Sequence, residues 1–572
     1  MAIENLITNH LALWTAAVRP KSSAGRGSNS KLELTGIKKL RELILELAVR
    51  GKLVPQDPSD EPASVLLERI AVEKTRLVKE GKIKKPKALA EIGEEEKQFG
   101  LPKGWEWCRI NDVLHLENGD RSKNYPNKSA LVENGIPFVN AGQLSDGLVS
   151  KDELCFISKE RFDILNGGKF NDGDILFCLR GSLGKCAVVK NFGVGAIASS
   201  LVILRPYLPP ITNYIMIVMN APITSRNISK YNNGTAQPNL SAADLSKFGL
   251  PLPPLVEQHR IVAKVDELMA LCDQLELCSE SQLAAHQTLV ETLLATLTDS
   301  SDADELAQNW ARLSTHFDTL FTTEASIDTL KQTILQLAVM GKLVPQDPSD
   351  EPASALLDRI AAEKAQLVKE KKIKKEKPLP AISEDEKPFE LPQGWAYSYI
   401  ASLCNCLDYL RIPINKEERL LRCGDVPYYG ANGQVGFIDD YLFDEDLVLV
   451  VEDETFIGRT KPFSYIVRGK SWVNNHAHVL RPLGGMSADY LNLCLQYYDF
   501  IPLTSGTTGR KKLTQAGLMG AKLWLAPLAE QQRIVVKVDE LMTLCDQLKS
   551  LLLTSQQTQL ALADSLVGGA LV

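Results

Sequence analysis

Two sets of polar and basic side chains have the types and spacing for chemistry, and both suit the base edges and phosphates of a nucleic-acid duplex. The first holds Arg121, Lys123 and Asn124 in a Gly- and Asp-rich stretch, Arg180, Ser182 and Lys185 in RGSLGK, and Asn232, Asn233, Thr235, Gln237 and Asn239 in a polar run further on. The second holds Tyr429, Asn432 and Gln434 in YYGANGQVG, Arg459 and Lys461 in GRTK, Asn474, Asn475 and His476 in VNNHAH, and the basic cluster Arg510, Lys511 and Lys512. Arg, Asn and Gln make two-pronged hydrogen bonds to guanine or adenine in the major groove, whereas Lys and Ser more often meet phosphate. Any one of these residues taken alone has a simpler reading as a solvated loop side chain. As a group they read as contacts, with phosphate the preferred role for Arg510, Lys511 and Lys512.

Residues for bond chemistry are missing, and no catalytic residue is assigned. The sequence has no GxxxxGK[ST] phosphate loop, no HExxH and no methyltransferase tetrapeptide of the N/D-P-P-[FYW] kind. His476 and His478 alternate as they would on one face of a strand, but no third ligand is evident, so no metal site is expected. GVGAIA at Gly193 loosely matches a dinucleotide fingerprint, yet a strand pattern, SSLVILRP, follows where a helix is required. Glu452 to Glu454 form an acidic patch without the lysine geometry of a nuclease. Any catalysis must lie in partners.

Bulk properties narrow the class further. With 572 residues the chain needs several cores, and 44% hydrophobic with 24% charged residues is the composition of a folded, soluble protein. No apolar run reaches the roughly 20 residues that span a bilayer, and Met1 to Pro20 lacks the pattern of a secretory signal, so a cytoplasmic location away from membranes is expected. The 11 cysteines are scattered, and Cys404 and Cys406 do not have zinc-site spacing. The net charge of −7 confines any nucleic-acid surface to a local patch or to one shared with a basic partner. It also favours, slightly, an alternative in which the chain is a coiled-coil adaptor whose globular domains hold proteins rather than DNA.

What must position these side chains is a duplicated frame. GKLVPQDPSDEPAS at Gly51 returns unchanged at Gly341, and LPKGW at Leu101 returns as LPQGW at Leu391, both 290 positions later. EQHRIVAKVDELMALCDQL at Glu257 returns as EQQRIVVKVDELMTLCDQL at Glu530, only 273 positions on, so the second intervening domain is 17 residues shorter. Ile261, Val265, Leu268, Cys272 and Leu275 are spaced 4, 3, 4, 3, as are Ile534, Val538, Leu541, Cys545 and Leu548, which is a coiled-coil seam. Ile37, Leu40, Ile44 and Leu47, with Ile327, Leu330, Ile334 and Leu337, give a matching stripe. Gly51 and Gly341 read as helix caps, and a second helix runs out near Lys79 and Lys369. The charge runs beyond, KIKKPK and KIKKEK, read as solvated linkers.

Between the helical blocks, short apolar runs bounded by Gly, Asn, Asp and Pro read as strands: DILFCLRG, CAVV and ASSLVILRP, then LVLVVEDE, FSYIV and HAHVLRP. The organisation expected is an N-terminal helical segment and flexible linker (1–35), a helical repeat (36–100), a first mixed α/β domain (101–254), a central helical region with the second repeat (255–390), a second mixed domain (391–528) and a C-terminal coiled-coil helix (529–572). The helical copies are nearly identical, whereas the domains share little beyond anchors such as Arg205-Pro206 and Arg481-Pro482. A symmetric scaffold therefore carries two different readers.

From Ile37 to the C-terminus the chain resembles the specificity subunits of type I restriction-modification systems. The resemblance rests on the duplicated GKLVPQDPSDEPAS, the LPxGW openings, NNHAHVLRP, NGTAQPNLS, GTTGRKKLT, and PPLVEQHRIV and APLAEQQRIV before the long helices. It implies an α+β architecture of two target recognition domains separated by an antiparallel coiled coil, each reading half of a bipartite, asymmetric double-stranded DNA site in phage defence. It implies docking of two methyltransferase subunits and of motor-nuclease restriction subunits, and a DNA contact at His476. It also implies that S-adenosylmethionine, ATP and Mg belong to those partners, with no cofactor in this chain.

Overall fold

The computed structural model describes residues 3–571 apart from 21–31, 86–88, 146, 233–237, 302, 376–377, 455, 457–458, 460 and 507–510. The chain divides into two units, Met1–Arg19 with Leu32–Glu280 and Gln556–Val572, and Pro20–Lys31 with Ser281–Ser555. Both contain the same construction.

In the first unit the helix Thr35–Val49 buries Ile37, Leu40, Ile44 and Leu47. It stops at Gly51, whose φ of +66° lets Lys52 N–H reach Leu47 O (2.9 Å) and Gly51 N–H reach Ala48 O (3.3 Å). No other residue fits, because a Cβ there would lie 2.5 Å from Pro102 Cγ. The second unit repeats this closure after the helix Glu324–Val339: Gly341 has φ +68°, Lys342 N–H donates to Leu337 O, and Pro392 Cγ stands 2.5 Å from a notional Cβ. The following helices, Ala63–Lys79 and Ala353–Lys369, each start after a proline.

The three repeated motifs meet in space. Trp105 of LPKGW donates from Nε1 to buried Glu257 (2.9 Å), and Gln56 of the first motif donates to the same carboxylate (2.7 Å) and to Gly51 O. Arg260 pairs with Asp60 at 2.6 Å. In the second unit Trp395, Gln346 and Glu530 reproduce the bonds at 3.0 and 2.7 Å, and Arg533 pairs with Asp350 at 2.5 Å. Burial pushes both carboxyls above the usual range, against the hydrogen bonds from the tryptophan and glutamine and the nearby arginine.

Two long helices, Leu255–Asp299 and Leu528–Leu571, leave this junction. Ile261, Val265, Leu268 and Cys272 are buried on the first, and Ile534, Val538 and Cys545 on the second. In the first unit Arg41 pairs with Asp273 (2.5 Å) and Glu276 (2.6 Å) of one long helix, and Lys39 pairs with Asp564 of the other. In the second unit Lys331 pairs with Asp546, and Lys549 with Asp328.

Each α/β domain is closed at its base by pairing its entry and exit strands, Glu106–Arg109 with Gly249–Leu252, and Ala396–Tyr399 with Lys522–Leu525. The central sheets share one order. Leu114–Asn118, Leu201–Pro206, Ile175–Cys178 and Cys186–Val188 are neighbours in the first domain, and Cys404–Cys406, Ala477–Pro482, Leu447–Val451 and Ser464–Val467 in the second. Their registers agree as well: Arg205 lies opposite His115 and Pro206 opposite Leu114, as Arg481 lies opposite Asn405 and Pro482 opposite Cys404. The arginine anchors are ion-paired to acids at the start of the neighbouring strand, Arg205 to Asp174 (2.7 Å) and Arg481 to Glu445 (2.5 Å). Two mixed α/β domains on long repeated helices make up the molecule.

Candidate nucleic-acid interface

In the first domain the loop that follows the strand Ile175–Cys178 carries three of the candidate residues. Leu240 N–H donates to Leu179 O (3.0 Å), and Arg180 forms a β-bridge with Asn239, so a segment 59 residues away is tied to the loop's base. Gly181 (φ +79°) and Gly184 (φ +92°) supply the positive φ angles of the tight turn. Arg180 Nε donates to Asn239 Oδ1 (3.0 Å), and Asn239 N–H donates to Asn232 Oδ1 (3.0 Å). Ser182 and Lys185 are exposed beside them, and with Gly181, Ile228, Asn232 and Pro238 they line one open hollow. Asn233, Thr235 and Gln237 lie outside the described residues.

Arg121, Lys123 and Asn124 occupy a separate loop. It is shaped by buried Asp120, which accepts from Ser122 N–H (2.6 Å) and Asn166 N–H (2.7 Å). Burial pushes that carboxyl up, but these hydrogen bonds outweigh it and hold it below the usual range. Asn124 spends its amide on Ile164 O (2.9 Å), whereas Arg121 and Lys123 stay exposed.

The second domain builds its face differently. Leu513 N–H donates to Glu452 O (2.8 Å), and Asp453 lies opposite Lys512 in the adjoining strand pair. Lys512 is exposed and pairs with Glu452 at 2.9 Å, while exposed His476 sets Nδ1 2.7 Å from Asp453. Burial raises the Glu452 carboxyl, but Lys512 and Arg411 together hold it below its usual range. Asn474 accepts from His476 N–H (2.8 Å), its own N–H donates to Tyr429 O (3.0 Å), and Asn475 is exposed. These contacts bring the Tyr429 and His476 segments together. Asn432 and Gln434 sit exposed at the turn of the hairpin formed by Val426–Gly430 and Gly433–Ile438. Arg459 donates from Nε to Lys461 O (2.9 Å) and from Nη2 to Pro462 O (3.1 Å), which orders its own loop. Lys461 is exposed. Lys511 is half-buried, and Arg510 lies outside the described residues.

The histidine pair does not share one environment. The strand begins at Ala477, which leaves His476 in the preceding turn, and His478 is 1% exposed. Its Nδ1 lies 2.6 Å from Asp408 and its Nε2 2.9 Å from Leu513 O. Cys406, Asp408 and His478 come close enough to hold a metal ion, a grouping hidden in the sequence because His478 stands 70 residues beyond Asp408. Yet both ring nitrogens are engaged, burial pushes the Cys406 thiol up to about 12, and the Arg411 guanidinium stands 3.4 Å from Asp408, where it would repel a second cation. The grouping is a hydrogen-bonded core beneath the face. Asp408, Arg411 and Glu452 are the members that sequence reasoning missed. Only the acidic run from Glu452 after a predicted strand gave any signal.

The model of the type I restriction modification DNA specificity domain matches residues 102–283 and again 392–554. The EcoAI specificity subunit of Escherichia coli is 44% identical, and the EcoEI specificity subunit of the same species 42%, each over all of both chains. Among solved structures, a chain described for complex assembly and conformational transition of the type I R-M system covers 83% of this chain and 99% of its own length. It is 16% identical, with a TM-score of 0.48. Matched twice by the domain model and along its whole length by these relatives, the chain belongs to the family of type I restriction-modification specificity subunits.

Proposed function

We propose that this specificity subunit recognises a bipartite, asymmetric double-stranded DNA site, with residues 101–254 reading one half and 391–528 the other. The observation that carries the reading is the pair of domains that share sheet order, register and base closure while presenting different side chains from the same loops. The relatives are named as subunits of restriction enzymes, and a specificity subunit needs chains that act on the DNA it selects. Two methyltransferase subunits and the restriction subunits supply S-adenosylmethionine, ATP and Mg chemistry, and this chain is non-catalytic. It works in the cytoplasm; among the described residues no helix is long and apolar enough to cross a membrane.

The site residues of this reading are Arg180, Ser182, Lys185, Asn232 and Asn239 in the first domain, with Arg121 and Lys123 at its margin. In the second they are Asn432, Gln434, Asn475, His476, Lys511 and Lys512. The test is co-purification with the methyltransferase chains followed by mapping of methylated adenines in host DNA. A two-part motif with a fixed gap is expected, and its absence from an active complex overturns the reading. Filter binding at two salt concentrations separates it from the protein-adaptor alternative, because phosphate contacts make affinity fall as salt rises.

A further inference from the structure

The two domains differ in kind at one equivalent position. The residue after the strand Ile175–Cys178 accepts from Leu240, the residue after Leu447–Val451 accepts from Leu513, and in each domain the next residue faces a partner across the bridge. That pair is Arg180 with Asn239 in the first domain and Asp453 with Lys512 in the second. A common backbone thus presents a guanidinium in one reader and a carboxylate in the other, the two groups best suited to the acceptor edge of guanine and the donor edge of cytosine.

The first pair is the better fixed. Cys178 Sγ donates to Arg180 O (3.1 Å), Leu240 N–H ties Leu179, and Asn239 Oδ1 takes the Arg180 Nε hydrogen (3.0 Å). Asn239 is itself held by Asn232 (3.0 Å). With Nε engaged, the plane of the guanidinium is set and its outer edge, Nη1 and Nη2, points away from the anchor. Among the described residues nothing accepts from either nitrogen, and the side chain is exposed. We propose that Arg180 reads a guanine in the first half-site and that Asn239 is its positioning residue. The proposal rests on the DNA-recognition reading above. A phosphate contact requires charge or a hydrogen-bond donor rather than a set plane, and Lys185 and Ser182 on the same loop are exposed to supply them.

The test uses the full chain assembled with its methyltransferase partners, checked for an unchanged melting temperature. Binding is measured by competition between the cognate duplex and duplexes altered at one base pair each. For Arg180→Lys, discrimination at a single G·C pair of the first half-site should fall from about ten- to hundred-fold to nearly none. The second half-site and the salt dependence should be unchanged. Asn239→Ala should weaken discrimination at that same pair, and Asn239→Asp, which keeps the acceptor oxygen, should restore it. The proposal is overturned if Arg180→Lys retains the base preference, if it weakens every sequence equally as loss of a phosphate contact would, or if Asn239→Ala disturbs all positions of the half-site alike. A wild-type complex without any sequence preference would instead refute DNA recognition itself, so the two failures are distinguishable.

Discussion

The two reader domains agree where side chains are buried at the base and disagree from the loops inward to the layer just beneath them. In the first domain Val202 and Asn118 are opposed on neighbouring strands; in the second the equivalent strand ends at Cys406, and Asp408, two residues on at the start of a short 3-10 turn, meets the His478 side chain at 2.6 Å. Leu116 of the first is replaced by Cys406. A buried, hydrogen-bonded His–Asp pair therefore stands where the first domain has a valine and an exposed asparagine, and Arg411 and Glu452 extend it up to Lys512 at the surface. The first reader fixes its guanidinium with neutral amides, whereas the second fixes its cations with acids. The difference between the two readers thus extends from the loops into the layer that supports the reading face.

The largest effects should test what is shared. Trp105 and Trp395 are both buried and both donate to the glutamate that opens a long helix. Replacing either by Ala should cost about 3–5 kcal/mol, and the two losses should agree within about 1 kcal/mol in denaturant unfolding of the full chain. A large difference between them would break the equivalence of the two frames.

Next come variants that touch only one reader. Asp408→Ala strands His478 in the interior and should destabilise the second domain by about 3 kcal/mol. Asn118→Ala at the matching place in the first should cost under about 1 kcal/mol. Burial raises the Asp408 carboxyl, but His478, the Val479 N–H and the Arg411 guanidinium together hold it below its ordinary value. A depressed carboxylate stabilises above its unfolded pKa and loses that contribution as pH falls through the folded one. The gap between wild type and Asp408→Ala should therefore close in acid, and a constant gap would show that the loss is a cavity rather than a charge effect.

Much of the frame was legible because one-sided burial is a local property. The 4, 3, 4, 3 spacing from Ile261 and the 3, 4, 3 spacing from Ile37 announce helices, and a cap glycine followed by prolines announces where they stop. The reason for the repeated motifs was not legible. Gln56, Trp105 and Glu257 look unrelated until the fold brings them onto one carboxylate. The same holds on the reading faces. Arg180 and Asn239 were each singled out for their hydrogen-bonding chemistry, but nothing local says that one holds the other. Arg459, read from the sequence as a contact, also has a local role that the sequence does not announce: its Nε and Nη2 donate to the carbonyls of Lys461 and Pro462.

A smaller effect compares the surface cations. Among the described residues Lys185 has no ion pair, whereas Lys512 is held by Glu452, which raises the lysine's own pKa. Lys185→Met should lower the slope of log affinity against log salt by about 1. Lys512→Met should lower it by less, because Glu452 already neutralises part of the charge. Equal slopes would mean that the Glu452 pair opens when DNA binds.

The smallest effect returns to the shared junction. Burial holds the Glu257 and Glu530 carboxyls above the usual range, so in the window from about 4.5 upward the folded chain keeps protons that the unfolded chain has released. Stability must then fall as pH rises through that window, the reverse of the Asp408 case. Glu257→Gln and Glu530→Gln carry no charge and keep one oxygen for the tryptophan, but turn an NH2 toward the amide donor of Gln56 or Gln346. Each should flatten the decline between pH 4.5 and 7 by the same amount in both units, and the lost glutamine hydrogen bond should offset the relief of burial so that stability at neutral pH changes by less than about 1 kcal/mol. A clear loss of stability instead would mean that Arg260 and Arg533, paired to Asp60 and Asp350, draw more from the carboxylate's charge than its burial costs.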